Sequence, residues 1–299
     1  MIKEKTIEGF RVKVASISNM FVGVACDIGP RILYLASSDK PKLNLFGILP
    51  KFGIQTSEGF WKIYGGHRLW ASPEAKPRSY SLDNQPVKIE FNENTLTIYG
   101  NPEEKNSIQK EIILKEDPKG GVQVIHRIKN IGRWPIELAC WAISVMKKNG
   151  FAIIPVKPMK VDKEGLLPDR HISLWPYTDI ADKRLIFTPE YIFVRQDPEI
   201  EKPLKIGVNA NPQWVAYWVD EMLFIKQFPL EEGEYPDFGC NVETYTNSNM
   251  LELETLGPLR TVPPSNIIQH TEIWRVFKVG RIRMNTEDIK KKIEPLIKT

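Results

Sequence analysis

Tyr235-Pro-Asp-Phe-Gly-Cys-Asn-Val-Glu-Thr-Tyr-Thr-Asn-Ser-Asn-Met-Leu-Glu-Leu-Glu-Thr-Leu-Gly-Pro-Leu259 contains two short runs of alternating character on either side of a polar turn. Successive side chains of an extended chain point to opposite faces. Glu252 and Glu254 therefore share one face and Leu251 and Leu253 the other, while Glu243 and Tyr245 share a face of the preceding run. Pairing of the runs through the Asn247–Asn249 turn gathers these carboxylates on one patch of sheet. Like charges that close raise at least one pKa and make a general base. The same spacing also describes the solvated face of a half-exposed sheet, and both readings stay open at this level.

Period-2 apolar patterns recur outward from this stretch, including Phe10–Ser16, Arg31–Ala36, Ile108–Lys115, Val122–Asn130, Ile136–Met146, Trp214–Val219, Met222–Phe228 and Ile267–Phe277. About fifteen such strands exceed a simple sandwich and predict an all-β fold, a large antiparallel structure of two sheets. The 23 prolines fall mainly between the runs, where they interrupt no central ladder. We read one domain over residues 1–280 and a basic helical extension over 281–299 packed on it. Asn285 or Thr286 caps that helix, Glu287 and Asp288 occupy its first turn, and Ile289, Ile293, Leu296 and Ile297 share a face.

The chain has 299 residues, 42% of them hydrophobic, with a net charge of +4. The basic excess is local: Arg275 to Thr299 holds eight basic and three acidic residues, leaving a slightly acidic body with no basic stripe to hold nucleic acid. Cys26, Cys140 and Cys240 are far apart and make no zinc spacing, so neither metal nor cofactor is expected. The start carries charges where a signal peptide needs an apolar core, and no apolar run approaches the ~20 residues of a membrane span. A cytoplasmic location without membrane contact is the expectation. Walker, GxSxG, HExxH and dinucleotide motifs are missing from the sequence.

A second cluster, Tyr64-Gly-Gly-His-Arg-Leu-Trp-Ala-Ser-Pro-Glu74, reads as a loop that brings a titratable ring, a guanidinium and an indole together. That mixture suits a pyranose, which has an apolar face and a rim of hydroxyls, and it also suits an ordinary loop plug. His126 lies between Val124 and Ile128 and reads as a core residue, and His270, which alternates with Glu272 and Trp274, reads as structural, whereas His171 lies near Trp175, Tyr177 and Asp179 in a proline-containing loop.

Val24-Ala-Cys-Asp-Ile-Gly-Pro-Arg-Ile-Leu-Tyr-Leu35, Gly65–Glu74, Val122–Met146 and Leu251–Leu259 resemble, in order, the blocks of aldose 1-epimerases and galactose mutarotase-like proteins. The resemblance covers roughly residues 5–278 and is nearest to an uncharacterised branch. It implies a β-supersandwich whose concave sheet binds a small carbohydrate. In such enzymes a glutamate takes the anomeric hydroxyl proton and a histidine protonates the ring oxygen. Glu254 matches the base, with Glu252 as the alternative on the same face. Trp141 stands where the family has its histidine, and indole donates no proton to a ring oxygen at neutral pH. The resemblance thus leaves His67 as the provisional acid. Arg68, Trp175, Tyr177, Asp237 and Glu243 are candidates for holding the sugar, and Arg68 also suits an anionic one. Two functions follow: an aldose 1-epimerase-like isomerase, or a carbohydrate-binding protein in which Trp141 is a stacking platform. A lyase or other acid-base enzyme acting on a uronate uses the same carboxylates.

Overall fold

Strand Ile267–Lys278 shows how the sequence builds the sheets: His270, Glu272, Trp274 and Val276 are buried and the residues between them are half-exposed or exposed. This strand is covered on one face. Strand Ile136–Met146 is buried on both faces from Leu138 onward. It therefore lies between two packed layers, which explains its near-continuous apolar run.

The computed structural model describes residues 2–297, and among these two large antiparallel sheets face each other. The first runs Ile2–Ile7, Phe10–Ile17, Met20–Ala25, Arg31–Ser37, His67–Ser72, Ile136–Met146, Leu251–Leu256, Val242–Thr246, Leu204–Val208, Ile172–Leu174, with Arg260–Val262 also paired to Ile136–Met146. The second runs Leu185–Phe187, Tyr191–Arg195, Phe151–Pro155, Trp214–Val219, Met222–Gln227, Ile267–Lys278, Val122–Asn130, Ile108–Glu116, Thr95–Tyr99, Lys88–Asn92. The hairpin Ile48–Thr56 with Gly59–Gly65 lies apart and contributes Trp61 and Ile63 to an aromatic cluster with Trp70 and Trp141. The all-β antiparallel expectation agrees with this architecture.

The main core fills the space between the sheets, with Leu69, Cys140, Met146, Leu251 and Leu253 from the first and Ile112, Val124, Phe224 and Trp274 from the second. The outer face of the second sheet is covered by the C-terminal segment: helix Thr286–Lys292 is capped by Asn285, whose side chain accepts from the Asp288 amide at 2.9 Å. Ile289 and Ile293 are fully buried against Phe151, Phe193 and Trp214.

His67–Ser72 is a central strand and not the loop expected from its glycines. All six residues are buried, so no alternation of polarity marks them as a strand. Gly65 and Gly66, with φ of 86° and 67°, turn the chain into it. A Cβ on Gly66 would lie 2.2 Å from the Ile32 carbonyl oxygen.

A polar chain crosses the core. Ser144 Oγ lies 2.8 Å from His67 Nδ1, and His67 Nε2 lies 2.7 Å from His126 Nε2. Thr255 contacts both His270 Nε2 at 2.8 Å and Glu272, and Lys226 Nζ sits 3.0 Å from Glu272. Burial lowers the imidazole pKa values, to about 4 for His126 and about 3 for His270. The ring of His126 is neutral in the folded chain and titrates near 6.5 when unfolded. Protonation is therefore disfavoured by folding, and stability falls by about 3 kcal/mol on this account as pH drops from 6.5 toward 4. A His126→Asn variant should accordingly be less stable than the parent at pH 7.5, with the gap closing by pH 4. Urea unfolding at both pH values checks this, and a gap of constant size would contradict it.

Candidate functional site

The face of the first sheet turned away from the core carries the unusual chemistry. Register places Arg68 opposite Ile143, Ile143 opposite Glu254, Glu254 opposite Glu243, and Glu243 opposite Gly207. Four neighbouring strands thus set a guanidinium and two carboxylates in one row. Gly207 completes it for a steric reason: a Cβ there would lie 2.6 Å from Cys240 Sγ and 3.3 Å from Glu243 Cγ. One residue pair along, Glu252 faces Tyr245 and Tyr245 faces Lys205.

Lys205 organises the centre. Its Nζ lies 2.7 Å from Glu243 Oε2 and 3.4 Å from Glu254 Oε2, and 4.4 Å from the ring centres of both Trp141 and Trp175. Trp141 Nε1 donates to the same Glu254 Oε2 at 2.8 Å. Glu243 and Glu254 are essentially inaccessible at 0% and 1%. Burial pushes Glu254 up to about 7, with Glu252 adding to the rise and Lys205, Arg68 and the Trp141 hydrogen bond opposing it. Burial likewise raises Glu243 well above the carboxylate range. The two carboxylates hold Lys205 protonated in spite of its burial.

Arg68 Nη2 donates to Glu252 Oε1 at 2.8 Å, and its guanidinium lies 4.5 Å from the ring centre of Trp70. Above this floor opens a cavity of about 320 Å³ lined by Trp61, Trp70, Tyr80, Trp141, Trp175, Tyr177, Arg68, Lys205 and Glu252. A neighbouring cavity of about 280 Å³ shares Glu74, Trp141, Trp175 and Lys205 with it and is also lined by Asp237. Trp175 and Tyr177 are held in place through Thr178, whose hydroxyl donates to the Lys205 carbonyl at 2.6 Å and accepts from the Lys205 amide at 3.0 Å.

Of the residues singled out from sequence, Arg68, Trp141, Trp175, Tyr177, Glu252 and Asp237 line these adjoining cavities. Glu243 and Glu254 lie directly beneath, covered by Lys205 and Trp141. His67 is a correction. Strand alternation sends it to the face opposite Arg68 and Trp70, where it is wholly buried between the sheets and bonded to Ser144 and His126. It cannot meet Glu254 across a sugar. Lys205 escaped the sequence reading, although a lone charge inside the apolar strand Leu204-Lys-Ile-Gly-Val208 was a usable signal. Glu74 and Tyr80, which are hydrogen-bonded to each other, also went unnoticed.

His67, His126 and Glu272 bring potential metal ligands within 4.8 Å of one another. Their imidazole nitrogens stand 2.7 Å apart, a direct hydrogen bond, whereas a tetrahedral zinc would hold them about 3.3 Å apart. The ammonium of Lys226 beside Glu272 also disfavours a second cation.

No protein-family model matches this sequence, and no curated protein matches it. Solved structures do match. A TPR-domain containing protein from Parabacteroides distasonis aligns over 93% of this chain with a TM-score of 0.60 at 11% identity; the chain spans 50% of that protein's length. A protein from Klebsiella pneumoniae, provisionally named an aldose 1-epimerase, aligns over 99% of this chain and 87% of its own, with TM-score 0.59 and 12% identity. A galactose mutarotase related enzyme from Lactobacillus acidophilus aligns over 91% and 100%, with TM-score 0.50 and 8% identity. The chain has the galactose mutarotase-like fold. Among the described residues no helix is long and apolar enough to cross a membrane.

Within this fold Lys205 is the sole cation in contact with both Glu243 and Glu254 among the described residues. Replacing it by Met leaves two buried carboxylates facing each other and should cost about 3–5 kcal/mol at pH 8. Stability from a carboxyl whose folded pKa is raised is complete below about 4.5 and is lost as pH rises through about 7. Lys205→Met should therefore be far less damaging at pH 5 than at pH 8. Denaturant midpoints at the two pH values test this, and equal losses would refute it.

Proposed function

We propose that this protein binds a carbohydrate in the Trp141–Trp175 cleft and does not open the sugar ring. One observation carries the reading: Trp141 covers Glu254 and donates to it, while the histidine nearest in sequence to the cleft, His67, lies on the other side of the sheet. Ring opening needs a base and an acid on opposite sides of one C–O bond; here Glu254, the matched base, lies beneath Trp141 and Lys205, and Glu252, which does line the cleft, is paired with Arg68. What the cleft offers instead is indole and phenol faces for the apolar side of a pyranose, with Arg68, Lys205 and Glu252 at its polar edge. The cavity volume of about 320 Å³ falls at the small end of ligand sites, which suits a single sugar unit.

A second reading, an acid-base enzyme acting on a sugar derivative such as a uronate, is favoured by a specific feature. Glu254 is pushed up to about 7 beside Glu243, so the carboxyl pair retains a proton near neutral pH. Proton transfer from this pair would require Trp141 or Lys205 to move aside.

Tryptophan fluorescence titrated with mono- and oligosaccharides should saturate, and Trp175→Ala should weaken binding at least tenfold. Anomer exchange followed by NMR saturation transfer should run no faster with protein than without. Exchange accelerated by the protein and abolished by Glu254→Gln would replace the binding reading with the enzymatic one. Absence of any saturable saccharide would remove both.

A further inference from the structure

We infer that the carbohydrate held in this cleft is longer than one unit, and that a second sugar sits beyond Arg68 and Trp70; this rests on the carbohydrate-binding reading. Arg68 and Trp70 line the cleft and also form a wall of a separate cavity of about 360 Å³. The second cavity has the make-up of a sugar subsite. Trp70 and Leu82 supply apolar surface, while Asp83, Gln85 and Asn101 bring polar ends to it.

Its hydrogen bonding is incomplete on both sides. Arg68 is 3% exposed, and its Nε and Nη1 groups have no hydrogen-bond acceptor among the described residues. Asp83, which also lines this cavity, uses Oδ2 for the buried Arg31, and its Oδ1 has no donor among the described residues. Each buried polar group left unmade costs about 1–3 kcal/mol. On turning toward the cavity that both residues line, the unpaired donors of Arg68 and the unpaired acceptor of Asp83 would complete their bonds with a hydroxyl, which both accepts and donates.

The charges here favour a neutral ligand over an anion. Lys110 is paired with Glu103 at 2.6 Å and Lys105 with Glu58 at 3.3 Å, so these ammonium groups are already matched. Asp83 is matched in the same way by Arg31, and Glu104 adds a further negative charge. A hydroxyl-rich uncharged unit linked to the sugar in the first cleft meets these conditions, and the shared Arg68–Trp70 wall puts the two units side by side.

The test is an affinity series on the full chain, using an array of mono-, di- and trisaccharides of the common hexoses, pentoses and uronic acids. The best-bound family should gain at least tenfold in affinity from one unit to two. Gln85→Trp, an exposed position at the cavity mouth, should remove that gain and leave monosaccharide binding unchanged. Asn101→Trp, equally exposed, serves as an independent block should the first variant fold poorly. Monosaccharide binding with no gain on lengthening, or a gain that both blocks leave intact, overturns the second subsite alone. No binding of any saccharide overturns it together with the reading on which it rests.

Discussion

A single ammonium group between two buried carboxylates organises the face of the first sheet turned away from the core. Glu243 and Glu254 stand directly opposite each other on adjacent strands, in a layer from which water is excluded. Without Lys205 their repulsion and desolvation would force both to take up protons or drive the strands apart. Lys205 in turn is held by the rings of Trp141 and Trp175, which exclude water from the ion pair and also form the cleft floor. The electrostatic centre and the ligand surface are thus one construction: a change that loosens the indoles also exposes the charges.

The opposite side of the same sheet solves a similar problem with uncharged rings. His67, His126 and His270 are kept neutral by burial and tied to Ser144, Thr255 and backbone carbonyl groups, with Lys226 and Glu272 as a compensated pair. This chain ties the central strands of both sheets to each other across an otherwise apolar core. Hydrogen-bonded polar groups in a low-dielectric interior specify how the layers meet, because any slip leaves buried groups unpaired. Strand His67–Ser72 belongs to both systems, since His67 enters the core network and Arg68 the cleft.

Much of this was legible in the sequence. Alternation in Leu251–Leu256 put Glu252 and Glu254 on one face, and the Asn247–Asn249 turn implied pairing with the strand of Glu243. The order of blocks pointed to the fold, and Asn285 marked the final helix. What escaped was governed by burial on both faces. His67–Ser72 has no polar side to alternate with, so its glycine-led start read as a loop and its histidine seemed free to face the cleft. Lys205 sits in an apolar pentapeptide, where the lone charge marks a buried cation but names no partner until Glu243 and Glu254 on two other strands are in place.

The sequence by itself determined the strand and turn pattern, the all-β class and the face shared by the cleft carboxylates, because these follow from the two-residue period of an extended chain. Only the tertiary structure decided which of those faces met the core and which met the cleft. That choice depends on layers supplied by strands and a hairpin distant in sequence, and it moved His67 to one side of the sheet and gathered Lys205, Trp141 and Trp175 over Glu254 on the other.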